Sequence, residues 1–463
     1  RKSQERGFAP VELVDEILKD YNEWNACRQH CEEQKKRLNE LSKECGALMK
    51  KGDEESKKKA GELRAESLVL KASIAEDEKR REQLDKQYKD KIPLVGNIVH
   101  DSVPISKDEK DNEVVRTWGD DRKPTFDFPM LHHHQLLYRI GGYDPERGVK
   151  VSGHRGYFLT NVGVLLNLAL ISYATAFLNA KNYELLQVPL MVKKTIISET
   201  CQLSDFDEQL YKVGESKPLD AEAEKEKGKT DKQIEKEEED KDKYLIATSE
   251  QPISAFHRGE IIEPKSLPLR YAGISTCFRK EAGKSGHDAW GIYRVHQFDK
   301  VEQFCITSPE DSWPMHEEML KTSEEFYQSL GLPYRVVNIV SKELNNAAAK
   351  KYDLEGWFPA YTPTADYREL VSCSNCTDYQ SRRLNIKWGA NTADHWSKRY
   401  VHMLNSTLCA TTRTICCILE NYQTADGVRV PEVLQPYMLG KTFLPFVREM
   451  PVVAEKGKKK QHK

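Results

Sequence analysis

Tyr271 to Cys305 reads YAGISTCFRKEAGKSGHDAWGIYRVHQFDKVEQFC. Side chains alternate along a strand, so Arg279 and Glu281, two apart, are predicted to share one face. A loop rich in Gly and Lys follows. The chain then returns along Ile292–Cys305, where Arg294, His296, Phe298 and Glu302 again fall at even spacing. Two adjacent antiparallel strands of this kind present guanidiniums, carboxylates and an aromatic ring on one surface. A guanidinium grips phosphate or carboxylate in a two-pronged fork. An aromatic ring stacks on a nucleobase. The surface is suited to holding a nucleotide and an amino acid together.

Working outward, 463 residues can bury a sizeable core and are expected to form more than one domain. A net charge of −2 excludes a globally basic nucleic-acid binder, so RNA contacts would come from local basic patches. No apolar run reaches membrane-spanning length. The nearest, Val162–Leu178, is interrupted by Asn167, Ser172 and Tyr173 and reads as a buried helix. The 11 cysteines are odd in number and scattered, and no secretory signal opens the chain, which begins without Met. This pattern predicts the reducing cytoplasm, with no membrane partner.

Upstream, Trp24, Cys27, Cys31, Leu38, Leu41, Cys45 and Leu48 recur at spacings of three and four, with a gap at Gln34. Leu63, Leu70, Ile74, Leu84 and Tyr88 repeat the pattern, with Asp77 and Arg81 as weak points in the seam. Gly52 and Asp53 break the run, predicting an antiparallel helical hairpin. Positions off the seam are mostly charged, so the hairpin is expected to project into water. Its basic residues include Lys35, Lys36, Arg37, Lys57, Lys58, Lys59, Arg64 and Lys71, suited to tracking an RNA backbone, with acidic residues interleaved. Residues 215–243 are dominated by Glu, Lys and Asp and read as a charged insertion; 456–463 form a short basic tail.

FRKE, the glycine-containing loop and YRVHQFDKVEQF together resemble motif 2 of class II aminoacyl-tRNA synthetases, in the form carried by seryl-tRNA synthetases of the eukaryotic cytosolic type. The resemblance extends across nearly the whole chain. It implies an α+β fold: a class II antiparallel sheet flanked by helices, with an N-terminal helical hairpin. The expected domains are residues 1–95 for the hairpin, 96–455 for the catalytic domain and 456–463 for the tail. The helix Val162–Ala180 and a strand Tyr183–Val192 carrying Pro189 look like motif 1, the dimer interface of that family, and imply a homodimer.

The same resemblance implies residue roles. Arg279 would bind the substrate carboxylate and the α-phosphate, and Glu281 the adenine amino group. Arg294 would hold phosphate. Val295, His296 and Gln297 would line the ATP site, with Phe298 stacked on adenine. Thr248 and Glu250 match the family's TxE loop and, with Glu302, Asn405 and Thr407, would bind serine. Glu369 and Ser372 match its magnesium ligands, with Leu370 and Val371 beside ATP. One carboxylate and one hydroxyl suffice for magnesium, which keeps phosphates and waters as its other ligands. Arg413, in a motif 3 reading Thr412-Arg413-Thr414, would bind the γ-phosphate and cover adenine opposite Phe298. Where the family often has Gly-Arg-Asp-Thr, this chain reads Gly286-His287-Asp288-Ala289-Trp290, a departure in the loop that meets the tRNA acceptor end.

No zinc is expected. Cys373 and Cys376 form a lone CxxC without two further ligands at suitable spacing. His132, His133 and His134 are consecutive, and adjacent helical positions diverge. The implied reaction joins serine and ATP to seryl-adenylate and pyrophosphate, then passes serine to tRNA(Ser), and to tRNA(Sec), gripped by the hairpin and the motif 2 loop. The competing reading is a non-catalytic or re-purposed RNA-binding relative.

Overall fold

The structure, a computed structural model, describes residues 10–200, 209–214, 225, 227–230, 241–281, 290–360, 365–389 and 399–450. The motif 2 departure at 286–289, most of the charged insertion and the basic tail lie outside the described residues. The chain divides into two compact units, Arg1–Ile98 and Val99–Lys463.

In the first unit, α1 (Glu12–Lys51) and α2 (Glu54–Lys91) pair as a hairpin. Gly52 takes φ +78° to end α1, a conformation glycine adopts without steric cost. Asp53 then caps α2 by accepting the Ser56 N–H. Cys31, Leu41, Ala60, Ile74, Leu84 and Tyr88 are buried in the seam. The gap at Gln34 is filled by a hydrogen bond from its Nε2 to Ser73 Oγ at 2.8 Å. The weak point at Asp77 is tied to His30, whose Nδ1 lies 2.9 Å from Oδ2. The first helix begins at Glu12, well ahead of the apolar pattern that opens at Trp24, and the second ends at Lys91, just past Tyr88. A buried Asp20 holds Lys91 Nζ at 2.7 Å and accepts from Gln87 at 3.2 Å. Such polar pairing is invisible to a count of apolar spacings.

The second unit is built on one eight-stranded sheet. Its strands are β1 (Glu113–Trp118), β2 (Glu184–Gln187), β3 (Leu269–Phe278), β4 (Gln297–Thr307), β5 (Tyr334–Asn338), β6 (Lys350–Phe358), β7 (Asp366–Asn375) and β8 (His402–Ala410). They lie in the order β1-β5-β6-β7-β8-β4-β3-β2, all neighbours antiparallel except β2 and β3. Alternation along β4 splits its side chains between two cores. Val301 and Cys305 join Leu170 of α3 (Val162–Ala180), Met319 of α4 (Ser312–Ser329) and Ile415 of α5 (Thr411–Asn421). Phe304 and Ile306 join Ile253, Leu384 and Met403 on the other face. Among the described residues α3 is the helix long and apolar enough to cross a membrane. Leu166, Ala169, Leu170, Ala174 and Leu178 bury one side of it in the sheet core, while Val164 and Leu168 stay exposed.

Two local expectations need correction. The motif 2 strands are shorter than alternation suggests: β3 stops at Phe278 and β4 starts at Gln297. Arg279, Glu281 and Arg294 therefore sit in the connection, not on a regular strand face. Glu281 adopts φ +48°, and its carboxylate meets Arg294 at 3.1 Å. The expected strand Tyr183–Val192 is instead two, Glu184–Gln187 and Met191–Lys193, in different sheets. Pro189 falls between them, where its missing N–H costs no ladder bond.

Candidate active site

β-Bulges decide which side chains meet. On β7 the pairing steps from Val371 opposite Leu354 to Glu369 opposite Glu355, leaving Leu370 as the extra residue. Glu369 and Ser372, three apart, would lie on opposite faces of a regular strand; the bulge lets both face one cavity. On β8 the step from Thr407 to Cys409 makes Leu408 the extra residue, so Asn405, Thr407 and Ala410 line the same cavity. Arg413 follows in the first turn of α5, with Nη1 3.0 Å from Glu369 Oε2.

At one end of the cavity the Arg279 guanidinium lies 5.3 Å from the centre of the Phe298 ring, and that of Arg413 lies 5.0 Å from the Tyr293 ring. Arg279, Glu281, Arg294, Val295, Phe298 and Arg413 line an adjoining recess. Burial pushes the Glu369 carboxyl up, but Arg413 and Lys351 pull harder and hold it down at about 2. Burial likewise disfavours the Arg413 charge, and Glu369 reverses this, raising its pKa. The pair stays ionised.

At the other end Glu302 is 4% exposed. Its Oε2 accepts from Thr248 Oγ1 at 2.6 Å and Ser249 Oγ at 2.5 Å, while Lys300 Nζ lies 2.5 Å from Oε1. Burial raises the Glu302 pKa, and Lys300 with the two hydroxyls more than offsets it, leaving a net lowering. Glu250 differs: burial and the neighbouring Glu302 push it up to about 7, and Gln380 Nε2 donates to its Oε1 at 2.7 Å. The loop carrying Thr248 and Ser249 approaches β3 closely because position 273 is glycine. A Cβ there would stand 2.5 Å from both Ser249 Oγ and Ile253 Cδ1.

The two ends join in a cavity of about 400 Å³ that gathers Thr248, Glu250, Arg279, Phe298, Glu302, Glu369, Leu370, Ser372, Asn405, Thr407 and Arg413. Three residues expected at the ATP site line neither this cavity nor the adjoining recess. His296 and Gln297 line a separate depression with Tyr157 and Tyr211. Val371 is wholly buried in the helix-side core, on the face opposite its neighbour Ser372, as ordinary alternation requires. Conversely Lys300, Asn346, Lys351 and Ser374 line the cavity and were not singled out from the sequence. Lys300 lies in the same alternation as Phe298 and Glu302, so that signal was available. Asn346, whose buried Oδ1 has no protein partner, arrives from a loop and carries no pattern.

Cys373 and Cys376 are buried and serve packing: Cys373 Sγ lies 3.8 Å from the His316 carbonyl, and Asn405 Nδ2 lies 3.5 Å from Cys376 Sγ. In the histidine run, His132 caps the helix His133–Arg139 and its ring stacks on that of His134 at 5.7 Å, both against Trp290, while His133 Nδ1 lies 2.8 Å from Glu420. Among the described residues no three His, Cys, Asp or Glu side chains form a group able to hold a metal. Glu369 and Ser372 still fit a magnesium ion, which takes few protein ligands when phosphates supply the rest. Glu369 is ionised and shares the cavity with the Ser372 hydroxyl.

Residues 232–422 match the sequence model of the tRNA synthetase class II core domain (G, H, P, S and T), and residues 1–99 that of the seryl-tRNA synthetase N-terminal domain. The chain is 51% identical to the cytoplasmic serine–tRNA ligase of Schizosaccharomyces pombe, over 99% of this chain and 96% of that one. To the cytoplasmic serine–tRNA ligase of Homo sapiens it is 44% identical, over 100% and 91%. Among solved structures it resembles the Naegleria fowleri cytoplasmic serine–tRNA ligase in complex with AMP, at TM-score 0.79, 45% identity, and 96% and 95% coverage. The Pyrococcus horikoshii seryl-tRNA synthetase complexed with ATP gives TM-score 0.82, 39% identity, and 95% and 94% coverage.

Proposed function

This chain belongs to the seryl-tRNA synthetase family of class II aminoacyl-tRNA synthetases, and we propose that its cavity performs serine activation by the following division of labour. The chain is a cytoplasmic serine–tRNA ligase that binds ATP, as the names of its relatives indicate. The non-catalytic alternative has no support. The observation that carries the reading is that Arg279, Phe298, Glu302, Glu369 and Arg413, drawn from separate strands and a helix, line one cavity.

Phe298 stacks on adenine, with Arg413 on the opposite side reaching the γ-phosphate and Glu281 accepting from the adenine amino group. Arg279 holds the serine carboxylate against the α-phosphate; Arg294 adds positive charge at the phosphates. Thr248, Glu250, Glu302, Asn405 and Thr407 bind the serine ammonium and hydroxyl. One serine carboxylate oxygen attacks the α-phosphorus, the P–O bond to pyrophosphate breaks, and seryl-adenylate remains. The ribose hydroxyl of the terminal tRNA adenosine then attacks the serine carbonyl, expelling AMP. The protein supplies no nucleophile; positioning and fixed charge carry the catalysis. Glu369 and Ser372 would hold magnesium, which offsets negative charge on the phosphates. A buried site built to bond a hydroxyl rejects the analogue lacking it by about 10⁴-fold, so serine is selected over alanine.

The hairpin is the proposed grip for tRNA(Ser) and tRNA(Sec), by shape and phosphate contacts. Lys35, Arg37 and Lys57 already face Glu78, Glu66 and Glu54 at 2.6, 3.2 and 2.8 Å. Lys36, Lys58, Lys59, Arg64 and Lys71 are the better phosphate candidates. A homodimer through the β2 edge is also proposed: β2 has a sheet neighbour on one side, and Val164, Leu168 and Leu185 are exposed near it. The test of the catalytic reading is serine-dependent ATP–pyrophosphate exchange. Arg279→Ala is expected to lose about a hundredfold or more in kcat; exchange near the parent rate would overturn the assignment.

A further inference from the structure

Lys300 has no part in the roles assigned above, yet it is the most deeply anchored ammonium of the cavity. It is 5% exposed and sits on β4, which is paired on both sides by β3 and β8. Its Nζ lies 2.5 Å from Glu302 Oε1 and donates to Thr248 Oγ1 at 3.0 Å. With the bonds from Thr248 and Ser249 to Oε2, both oxygens of Glu302 are held from the protein side. We propose that Lys300 is a positioning residue for the amino-acid half of the reaction: it clamps Glu302 in one rotamer and keeps it charged, so that the carboxylate meets the incoming serine already oriented.

A buried charge without a partner is costly, and the usual escape is to neutralise it. Glu302 lies in a wall that also holds Glu250, and two carboxylates sharing a site push one another toward protonation. Lys300 resolves this in favour of Glu302, while Glu250, bonded to Gln380, takes the proton more readily. With both carboxylates charged, this hydrogen-bonded corner carries two negative charges and one ammonium. The charge left over equals that of one substrate ammonium. Facing groups of other elements are Arg279, beyond the end of β3, and the buried Cys277 thiol, whose pKa is raised by burial. Ser249 supports the clamp from the loop, and the absence of a Cβ at Gly273 is what lets it approach.

The proposal rests on Glu302 binding serine, and the experiment separates the two. ATP–pyrophosphate exchange is measured against serine and ATP, across pH, for Lys300→Met, Lys300→Arg, Ser249→Ala and Glu302→Gln, with thermal melts as a check of folding. Lys300→Met is expected to raise KM for serine about tenfold or more and leave KM for ATP within about twofold, the cost of an uncompensated buried carboxylate. The acidic limb of kcat/KM for serine moves to higher pH, because Glu302 without its ammonium protonates sooner. Lys300→Arg restores part of both, and Ser249→Ala gives a smaller shift in the same direction. A folded Lys300→Met protein with parental serine KM and pH limb overturns the proposal. Should Lys300→Met fail to fold, parental behaviour of both Lys300→Arg and Ser249→Ala overturns it instead. If Glu302→Gln also leaves serine KM unchanged, the serine-site reading fails with it; if Glu302→Gln raises KM and Lys300→Met does not, only the clamp fails.

Discussion

Glu250 and Glu302 line one cavity wall and have opposite proton affinities. The difference lies in their partners: Glu302 has Lys300 at 2.5 Å and the Thr248 and Ser249 hydroxyls, and Glu250 has a neutral amide. This gives a sign for pH dependence. The folded pKa of Glu250, about 7, lies above its unfolded value. Its contribution to stability is therefore complete below about 4.3 and lost as pH rises through about 7. Glu250→Gln keeps an acceptor for Gln380 without a titratable proton. The parent's melting temperature is expected to fall relative to this variant between about pH 5 and pH 8; parallel profiles would show that Glu250 is not buried against its charged form. Gly273→Ala places a methyl 2.5 Å from Ser249 Oγ and Ile253 Cδ1. It is expected to cost about 1–3 kcal/mol in chemical denaturation and to raise serine KM, since the Thr248–Ser249 loop must retreat. Lys300 was legible from its even spacing; Gly273 was not, because the loop it accommodates is more than twenty residues away in sequence.

Among the elements, the hairpin was the most legible from sequence. Its turn at Gly52–Asp53 and its seam through Cys31, Leu41, Ile74 and Tyr88 follow from spacing alone. Its ends did not, since they are held by Asp20 with Lys91 and Gln87. Leu41→Ala empties a fully buried position and is expected to destabilise the hairpin by about 3 kcal/mol, read from denaturant unfolding of the full chain. Charge reversal at Lys36, Lys58, Lys59, Arg64 and Lys71 is expected to weaken tRNA binding and flatten its salt dependence by about one power of salt per lost phosphate contact. Pyrophosphate exchange should be unchanged; equal loss in both assays would make the arm merely structural. The strands were less legible than the helices. Alternation assigned Phe298 and Glu302 to one face correctly, then failed at Arg279, Glu281, Arg294 and His296, which lie beyond the strand ends. On β7 a bulge shifts the register at Leu370, so alternation alone would put Glu369 and Ser372 on opposite faces.

At the scale of the whole molecule, the exposed apolar residues Val164, Leu168 and Leu185 near the open edge of β2 are expected to close against a second copy. Leu168→Glu with Leu185→Lys should shift sedimentation toward monomer at micromolar protein; a parent already monomeric there would remove the proposal. The sequence by itself determined the helical arm, because spacing within each helix sets which side chains share a face; the sheet-based second unit and most residues of the cavity came from the resemblance of its motifs to a known family. Only the tertiary structure decided that a bulge at Leu370 brings Glu369 to the face of Ser372, and that His296 and Gln297 line a separate depression. Those outcomes depend on how each strand registers against neighbours distant in sequence, and a bulge in that register leaves no periodic trace in the strand that carries it.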